Sequence, residues 1–481
     1  MKNLNDNGSL VPGGYRELWL IAYPLIITNA AHTVMQFVDR KFLSINSTGD
    51  IAAALPGGIL AFTLFTFFIV TTGFTAAVVS QYHGRKNYKK CAAVPWTGFY
   101  FAIFAGLLCS YALIYPGEWC INSGHHTPDI LGKERGYFRM LMPGGGFIFI
   151  STAFSAFFSG RGKTWNVAII HLVACCVNIF LDYIFIFGNF GAPAMGIEGA
   201  GFATTLSCVV GAGIAFAFFI SQKQTLFPTR AKASFSFNFE DMKRLFLFGA
   251  PAGVEILFSV SAFTYLIFLI GSIGSSELAA TTIALSINMI TFMPLLGISE
   301  ATGIITGRYV GKGMKSVAEQ SAYRGWKLAT AYMLFTGTCY LLFPDILIRF
   351  FKPDTPGGNI DFMNVMKSGR IILLCAAFYN LFNAFRFIFM GALRGAGDTK
   401  IPMWIIVACS WGILAPGGYI LIPVLNVSIV KVWTFLTAYS ALVGLFIFLR
   451  FKSGKWKSIE MTKELPESPM QPPLLDAMDP E

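Results

Sequence analysis

The chain is divided into twelve long apolar runs, and this pattern constrains the fold more than any other feature of the sequence. Crossing the ~30 Å hydrocarbon core of a bilayer takes about 20 apolar helical residues. Tilted barrel strands are shorter and less uniformly apolar, and a backbone in lipid must satisfy its own hydrogen bonds. The sequence therefore predicts an all-α polytopic membrane protein with twelve transmembrane helices, at residues 18–43, 52–80, 93–115, 138–159, 166–189, 198–220, 245–272, 278–306, 328–350, 370–392, 401–424 and 428–451.

The composition agrees with a protein whose main partner is the lipid bilayer. Hydrophobic residues make up 55% of the chain and charged residues only 13%, against about 25% charged residues in an average soluble domain. This excludes a soluble globular protein, a disordered chain and an ordinary nucleic-acid-binding protein. The net charge of +11 is spread over short clusters between the apolar runs, so it is a topology signal and does not indicate a nucleic-acid partner.

The positions of the basic residues predict the orientation. Most of the 36 Lys and Arg residues fall in the connections on one side of the predicted helices. Because cytoplasmic loops carry the excess of Lys and Arg, we expect both termini in the cytoplasm. The expected location is the plasma membrane, which is the inner membrane in a Gram-negative cell.

The two halves of the chain are related by an internal repeat. The spacing of 227 residues that separates Pro24 from Pro251 also separates Gly84 from Gly311. Each half holds six predicted helices, so the repeat is parallel, and two facing six-helix lobes are typical of transporters with a substrate path between them. The predicted organisation is an N-terminal segment, an N-lobe, a cytoplasmic linker, a C-lobe and a disordered tail, at residues 1–17, 18–220, 221–244, 245–451 and 452–481.

Few charged side chains fall well inside the apolar runs, and such residues are normally partnered and functional. In the N-lobe, counting from the helix ends places four polar side chains at one depth: Asp39, Asn178, Asp182 and Thr204. Carboxylate, amide and hydroxyl oxygens suit a proton or a hard cation such as Na⁺. The alternative is that Asp39 belongs to an interfacial Asp39-Arg40-Lys41 run and that Asp182 has no special role.

In the C-lobe, Glu255, Glu300 and Arg386 count to a similar depth near the cytoplasmic side, with Asn288 and Asn383 as plausible polar neighbours. We expect Arg386 to pair with one of the two acids. Two acids and one Arg would leave a surplus negative charge that attracts a cationic substrate. A transport site and a structural ion pair both fit this spacing.

Several motifs resemble the multidrug and toxic compound extrusion (MATE) family. Residues 36–40 read QFVDR, 178–182 read NIFLD, 196–204 read GIEGAGFAT and 391–399 read GALRGAGDT. The resemblance covers about residues 15–450. It implies two six-helix lobes in a V shape, a first helix bent at Pro24, and export of drugs or metabolites in exchange for Na⁺ or H⁺.

The resemblance also assigns the cation-coupling site to the N-lobe residues Asp39, Asn178, Asp182 and Thr204. In the second lobe, the positions of two family acids are held here by Ser259 and Asn383, so the C-lobe acids and Arg386 are assigned to the substrate instead. We expect a monomer with no cofactor other than the coupling ion, acting on small cationic or aromatic substrates.

Two other functions remain to be weighed. A flippase for a lipid-linked precursor, from the same broader transporter class, would need a basic central cavity for a pyrophosphate group. An intramembrane enzyme would need a nucleophile-base or metal constellation, and the sequence contains no HExxH, CxxC, GxSxG or Walker motif. We therefore predict a transporter and not an enzyme.

Overall fold

The computed structural model describes residues 11–123, 127–222, 238–351 and 362–462, and this part of the chain is helical with no strand. The twelve predicted helices are confirmed. They are named α1 to α12 here and run over Tyr15–Asn46, Gly49–Gly84, Tyr88–Ala112, Pro128–Gly160, Thr164–Phe187, Gly196–Ser221, Phe239–Gly271, Ser275–Gly311, Lys315–Leu342, Phe362–Ala396, Lys400–Val424 and Ile429–Lys452. Eleven of these helices are long and apolar enough to cross a membrane. The exception is α9, whose first half is polar.

Several helix ends differ from those predicted, because helices continue past the apolar runs into polar turns. The largest differences are at the starts of α9, which begins at Lys315 rather than at 328, and of α4, which begins at Pro128 rather than at 138. In α9 the helix begins at Lys315 and ends at Leu342, and a separate short helix, Pro344–Arg349, follows it. Helix α7 begins at Phe239, inside the segment predicted as linker.

Four π-helical turns interrupt the long helices. They cover Leu108–Ala112 at the end of α3, Leu245–Gly249 in α7, and Ser410–Leu414 and Ile420–Val424 in α11. Such turns often occur at functional sites in α-helices. The first helix, by contrast, continues through Pro24.

Both chain ends come to one end of the helix bundle, which we call the terminal end; the opposite end is the distal end. The predicted disordered tail is wrong over its first residues. Lys455–Ser458 form a 3₁₀ turn, and Trp456, Met461 and Thr462 are buried. Trp456 packs into the core of the C-lobe, whereas Met461 packs into that of the N-lobe. Residues 463–481 of the predicted tail lie outside the described residues.

The lobes meet through repeat-related residues at the terminal end. A Cβ atom on Gly84 of α2 would lie 2.0 Å from the carbonyl oxygen of Arg308 on α8. A Cβ atom on Gly311 of α8 would lie 2.1 Å from the carbonyl oxygen of Gln81 on α2. Gln81 and Arg308 are themselves 227 residues apart, so the two glycine contacts are equivalent under the repeat. Only glycine allows backbones this close.

Two tyrosines repeat the same relation. Tyr82 of α2 accepts a hydrogen bond from Arg244 near the start of α7, at 2.8 Å. Tyr309 of α8 donates to Glu17 near the start of α1, also at 2.8 Å, and Glu17 pairs with Arg308 at 3.0 Å. Each lobe thus holds the first helix of the other, and the lobes are closed against each other at the terminal end.

Candidate functional site

The N-lobe carboxylates predicted from sequence come together between α1 and α5. Asp182 is fully buried, at 0% exposure, and Asp39 is half-buried. The two carboxyl groups lie close enough to interact with each other. Neither oxygen of Asp182, nor Oδ1 of Asp39, has a hydrogen-bond donor among the described residues. Two adjacent carboxyl groups repel each other when both are ionised, so this arrangement requires a shared proton or a cation.

The two predicted neutral residues complete the same cluster. Asn178 lies one turn before Asp182 on α5 and is fully buried, at 0% exposure. Its amide nitrogen donates to the hydroxyl of Thr204 on α6 at 3.4 Å, which leaves the amide oxygen Oδ1 without a donor. The four oxygen-bearing side chains thus form two pairs, Asp39 with Asp182 and Asn178 with Thr204, about one turn apart on α5. That donor set fits Na⁺ as well as a proton.

Sequence reasoning missed one member of the N-lobe cluster, Tyr137 of α4. Its side chain is buried and lies close enough to Asp39 and Asp182 to interact electrostatically with both. The predicted fourth run begins at 138, so Tyr137 lies just outside the segments whose depth is counted, whereas α4 begins at Pro128. Arg40 also interacts with Asp39. Asp39 therefore interacts both with Arg40, its neighbour in the Asp39-Arg40-Lys41 run, and with Asp182. The interaction with Asp182 favours the interpretation that Asp39 belongs to a carboxyl pair.

In the C-lobe, the expected pairing of Arg386 with an acid is wrong. Glu255 of α7 is buried, and it pairs with Arg394 of α10. The predicted helix ends at 392, which leaves Arg394 in the following loop, but α10 extends to Ala396 and the long side chain reaches back along it. The C-lobe cluster therefore contains two acids and two arginines, and it has no surplus negative charge.

Arg386 lies further toward the distal end, inside the C-lobe. Its guanidinium donates to the hydroxyl of Ser259 on α7 at 2.8 Å and lies over the ring of Phe387 at 5.3 Å. It is also close enough to Cys409 and Tyr439 to interact with them electrostatically. The arginine thus bonds across to α7 and lies near residues of α11 and α12.

The side chain of Glu300 on α8 is exposed. Gly307 lies seven residues further along the same helical face. A Cβ atom on Gly307 would lie 2.1 Å from the hydroxyl of Ser80 on α2 and 3.0 Å from the carbonyl oxygen of Gly395 on α10. Glu300 points to the same side, beyond the point where the lobes touch. Glu300 also interacts electrostatically with Arg394.

The two predicted asparagines have other partners than the acids. Asn288 accepts from Asn380 at 2.6 Å, and Asn383 accepts from Ser440 at 3.1 Å. Among the described residues, neither forms a hydrogen bond with Glu255, Glu300 or Arg386. No group of three or more His, Cys, Asp or Glu side chains suited to a metal ion occurs in the described part of the chain.

Comparison with known proteins decides the family. The sequence profile of the MatE family matches residues 24–184 and 251–420, which is one match in each lobe. The chain belongs to the MATE transporter family. This MATE protein is 27% identical over 457 residues to a probable multidrug resistance protein NorM of Thermotoga maritima, covering 94% of this chain and 96% of the relative. It is 26% identical to the multidrug resistance protein MdtK of Photorhabdus laumondii, covering 84% and 87%.

Solved structures agree with this MATE assignment at the level of the fold. The outward-facing conformation of a multidrug resistance MATE transporter superposes with a TM-score of 0.83 at 17% identity, covering 93% of this chain and 97% of the other. The two-lobe arrangement predicted from the repeat is therefore confirmed. The protein is a multi-pass membrane transporter.

Proposed function

We propose that this protein is a secondary active antiporter that exports drugs or metabolites, mainly organic cations, in exchange for Na⁺ or H⁺. The observation that carries the proposal is the buried carboxyl pair of Asp39 and Asp182 in the N-lobe, with three carboxyl oxygens that have no donor among the described residues. The relatives named for multidrug resistance support the export of drug-like compounds.

Coupling follows from the electrostatics of the pair. When a proton or Na⁺ binds, the repulsion between Asp39 and Asp182 is relieved and α1 packs against α5. When the ion leaves, the two carboxylates drive the helices apart. A bound ion shifts the conformation only if its affinity differs between the two states. A carboxyl pair at a helix-helix contact meets this condition, because its affinity for a cation is higher when the two helices are together.

Alternating access follows from the closed terminal end. The glycine contacts of Gly84 and Gly311 join the lobes there, while the exposed Glu300 lies on the distal side of that contact. We propose that the lobes rock about the α2–α8 contact. The terminal end is cytoplasmic, as the excess of basic residues indicates, and the protein acts as a monomer in the plasma membrane, which is the inner membrane in a Gram-negative cell.

The charge balance supports an exporter over the flippase alternative. A pyrophosphate group needs a cavity with surplus positive charge. Here Glu255 neutralises Arg394, and a second acid, Glu300, lies near the same arginine. The exposed carboxylate of Glu300, facing the space between the lobes, is the group that would attract an organic cation.

Transport in proteoliposomes tests the proposal, with a Na⁺ gradient and a pH gradient imposed separately. We expect one of the two gradients to drive uphill transport of a cationic aromatic dye. Asp39→Asn and Asp182→Asn should each abolish that transport while the protein still inserts, because an amide retains the shape of the side chain but neither ionises nor binds a proton.

The control is Asp129→Asn, which removes an acid whose side chain is 79% exposed near the distal end. This variant should transport like the wild type. Gradient-driven transport at the wild-type rate in a folded Asp39→Asn protein would show that coupling lies elsewhere, with the C-lobe acids as the next candidates.

A further inference from the structure

A group of cations from both lobes lies together at the terminal end. Arg308 of α8 lies against the backbone of Gly162, because a Cβ atom on that glycine would be 2.2 Å from its Nη2 atom. Arg161 and Lys163 flank Gly162 in the turn between α4 and α5. His83, in the last turn of α2, interacts electrostatically with these three cations and with a fourth just after α8. We call these five residues the basic cluster: His83, Arg161, Lys163, Arg308 and Lys312.

The basic cluster has few acids to balance it. Glu17 pairs with Arg308 at 3.0 Å. The guanidinium of Arg161 lies instead over the ring of Phe157, at 4.9 Å. Partial burial lowers the pKa of Arg161, and partial burial together with Arg161 lowers the pKa of Lys163, whereas a carboxylate partner would raise both. Among the described residues, the four cations and this one acid leave a surplus of three positive charges.

Several nitrogen atoms of the basic cluster are buried without a hydrogen-bond partner. They are Nε and Nη1 of Arg161 and Nε of Arg308, which have no acceptor among the described residues, and Nδ1 of His83. A buried charged donor is unfavourable until it has an acceptor. Lys163 and Lys312 are exposed, so an anion in solution can reach the cluster.

Guanidinium and ammonium groups in this combination match a phosphate group. The planar guanidinium presents several N–H groups to phosphate oxygens, and the ammonium group adds a point charge. The surplus of three positive charges favours an anion with more than one negative charge over a carboxylate or chloride. Phosphate is available at a cytoplasmic surface from two sources, free phosphate in solution and the headgroup of an anionic phospholipid.

We propose that the basic cluster binds a phosphate group where the two lobes meet, and that the bound phosphate holds the terminal end closed. Arg161, Lys163 and His83 belong to the N-lobe, whereas Arg308 and Lys312 belong to the C-lobe. The site is complete only when the lobes are together, so phosphate binds the closed state more tightly and raises its population. This site lies at the closed contact and does not take the exported substrate, so the inference goes beyond the proposed transport function.

Binding is tested on the purified full chain in detergent by titrating inorganic phosphate at constant ionic strength. We expect a saturable rise in melting temperature that chloride does not produce. Arg161→Gln should weaken phosphate affinity about tenfold or more, and Arg161→Lys should retain part of it. Lys312→Gln, in the other lobe, should weaken phosphate affinity about two- to fivefold. The matched control is Lys89→Gln, which removes an exposed cation of the terminal end outside the basic cluster and should keep the wild-type affinity.

Closure is tested by the reactivity of a buried position in the lobe contact. Ser80 is 0% exposed there, so Ser80→Cys, in a background without reactive native cysteines, reacts with a water-soluble maleimide only when the terminal end opens. Phosphate at ten times its dissociation constant should lower the labelling rate about tenfold if it binds only the closed state. At the same concentration, the rate in the Arg161→Gln background should fall at most about twofold.

Nanodiscs distinguish the two sources of the phosphate group. If the ligand is free phosphate, inorganic phosphate slows labelling equally in phosphatidylcholine nanodiscs and in nanodiscs that also contain phosphatidic acid. If the ligand is a lipid headgroup, phosphatidic acid slows labelling in phosphate-free buffer, and inorganic phosphate adds little. Either pattern supports the site, and Arg161→Gln should remove the effect in both.

Four results would overturn the inference. The first is a phosphate effect that chloride reproduces at equal ionic strength, and the second is an unchanged phosphate affinity in folded Arg161→Gln. The third is saturable phosphate binding that leaves the labelling rate unchanged. The fourth concerns the five acids that follow Thr462 in the sequence: if phosphate binds only after they are changed to amides, these acids occupy the cluster instead. None of the measurements uses a transported substrate, so a failure of the export function would leave their outcome unaffected.

Discussion

The glycine contact between α2 and α8 provides a quantitative test of rocking lobes. In Gly311→Ala the new methyl group would lie 2.1 Å from the carbonyl oxygen of Gln81. A carbon-oxygen contact needs about 3.3 Å, so the two helices must separate by about 1.2 Å. The neighbour is backbone and cannot rotate away. The substitution therefore forces apart the helices that close the terminal end and cannot be accommodated by rotation of a side chain.

The magnitude follows from what the separation disturbs. The side-chain amide nitrogen Nε2 of Gln81 donates to the carbonyl oxygen of Gly395 in the other lobe at 3.0 Å. The Glu17–Arg308 ion pair joins the two lobes at the same end, also at 3.0 Å. Overpacking of a close contact is unfavourable by about 1–3 kcal/mol. If the open state is relieved of this strain, its population relative to the closed state rises by about 5- to 150-fold.

The assay measures opening through a buried position. Ser80 lies in the lobe contact at 0% exposure, so Ser80→Cys, in a background without reactive native cysteines, reacts with a water-soluble maleimide only when the terminal end opens. We expect Gly311→Ala to raise the labelling rate by the same 5- to 150-fold factor. Gly84→Ala, at the repeat-related position, should raise the labelling rate similarly. In the double variant the change in free energy should be less than the sum of the two single changes, because both substitutions force apart the same helix contact.

The control is Gly213→Ala on α6, where an added Cβ atom meets nothing within 4 Å. Its labelling rate should match that of the parent. An unchanged labelling rate in folded Gly311→Ala and Gly84→Ala proteins would refute the argument, because it would mean that the terminal end opens without separating α2 from α8.

Three further predictions concern the ends of the molecule. Trp456→Ala should lower the free energy of unfolding by about 3–5 kcal/mol, measured by thermal unfolding in detergent, since this side chain is 1% exposed in the C-lobe core. Glu17→Gln should raise labelling at the terminal end by weakening its ion pair with Arg308, and an unchanged rate would show that the pair does not hold the lobes. Arg370 lowers the pKa of Asp345 below its usual 3.8. The pair therefore stabilises the folded state above about pH 4, and this contribution is lost as the pH falls. Arg370→Gln should make the melting temperature less sensitive to acidification.

The sequence by itself determined the helices, the repeat and the N-lobe cluster. Hydropathy over about 20 residues is a local property, so the twelve spans could be identified without knowledge of their packing. The alignment of Gly84 with Gly311 predicted the two lobes. Asn178 and Asp182 are one turn apart on one helix, and simple counting brought Asp39 and Thr204 to their depth, where the structure places them.

The tertiary structure alone decided the partners of the long charged side chains. Counting depth along a helix locates a Cα atom, but an arginine side chain reaches well beyond its own turn. For this reason Glu255 pairs with Arg394 from the far end of α10, and Arg386 contacts Ser259 instead. The ordered segment around Trp456 was missed for a related reason. A short polar segment has no periodicity to identify it, and its burial depends on two lobes that lie far apart in the sequence.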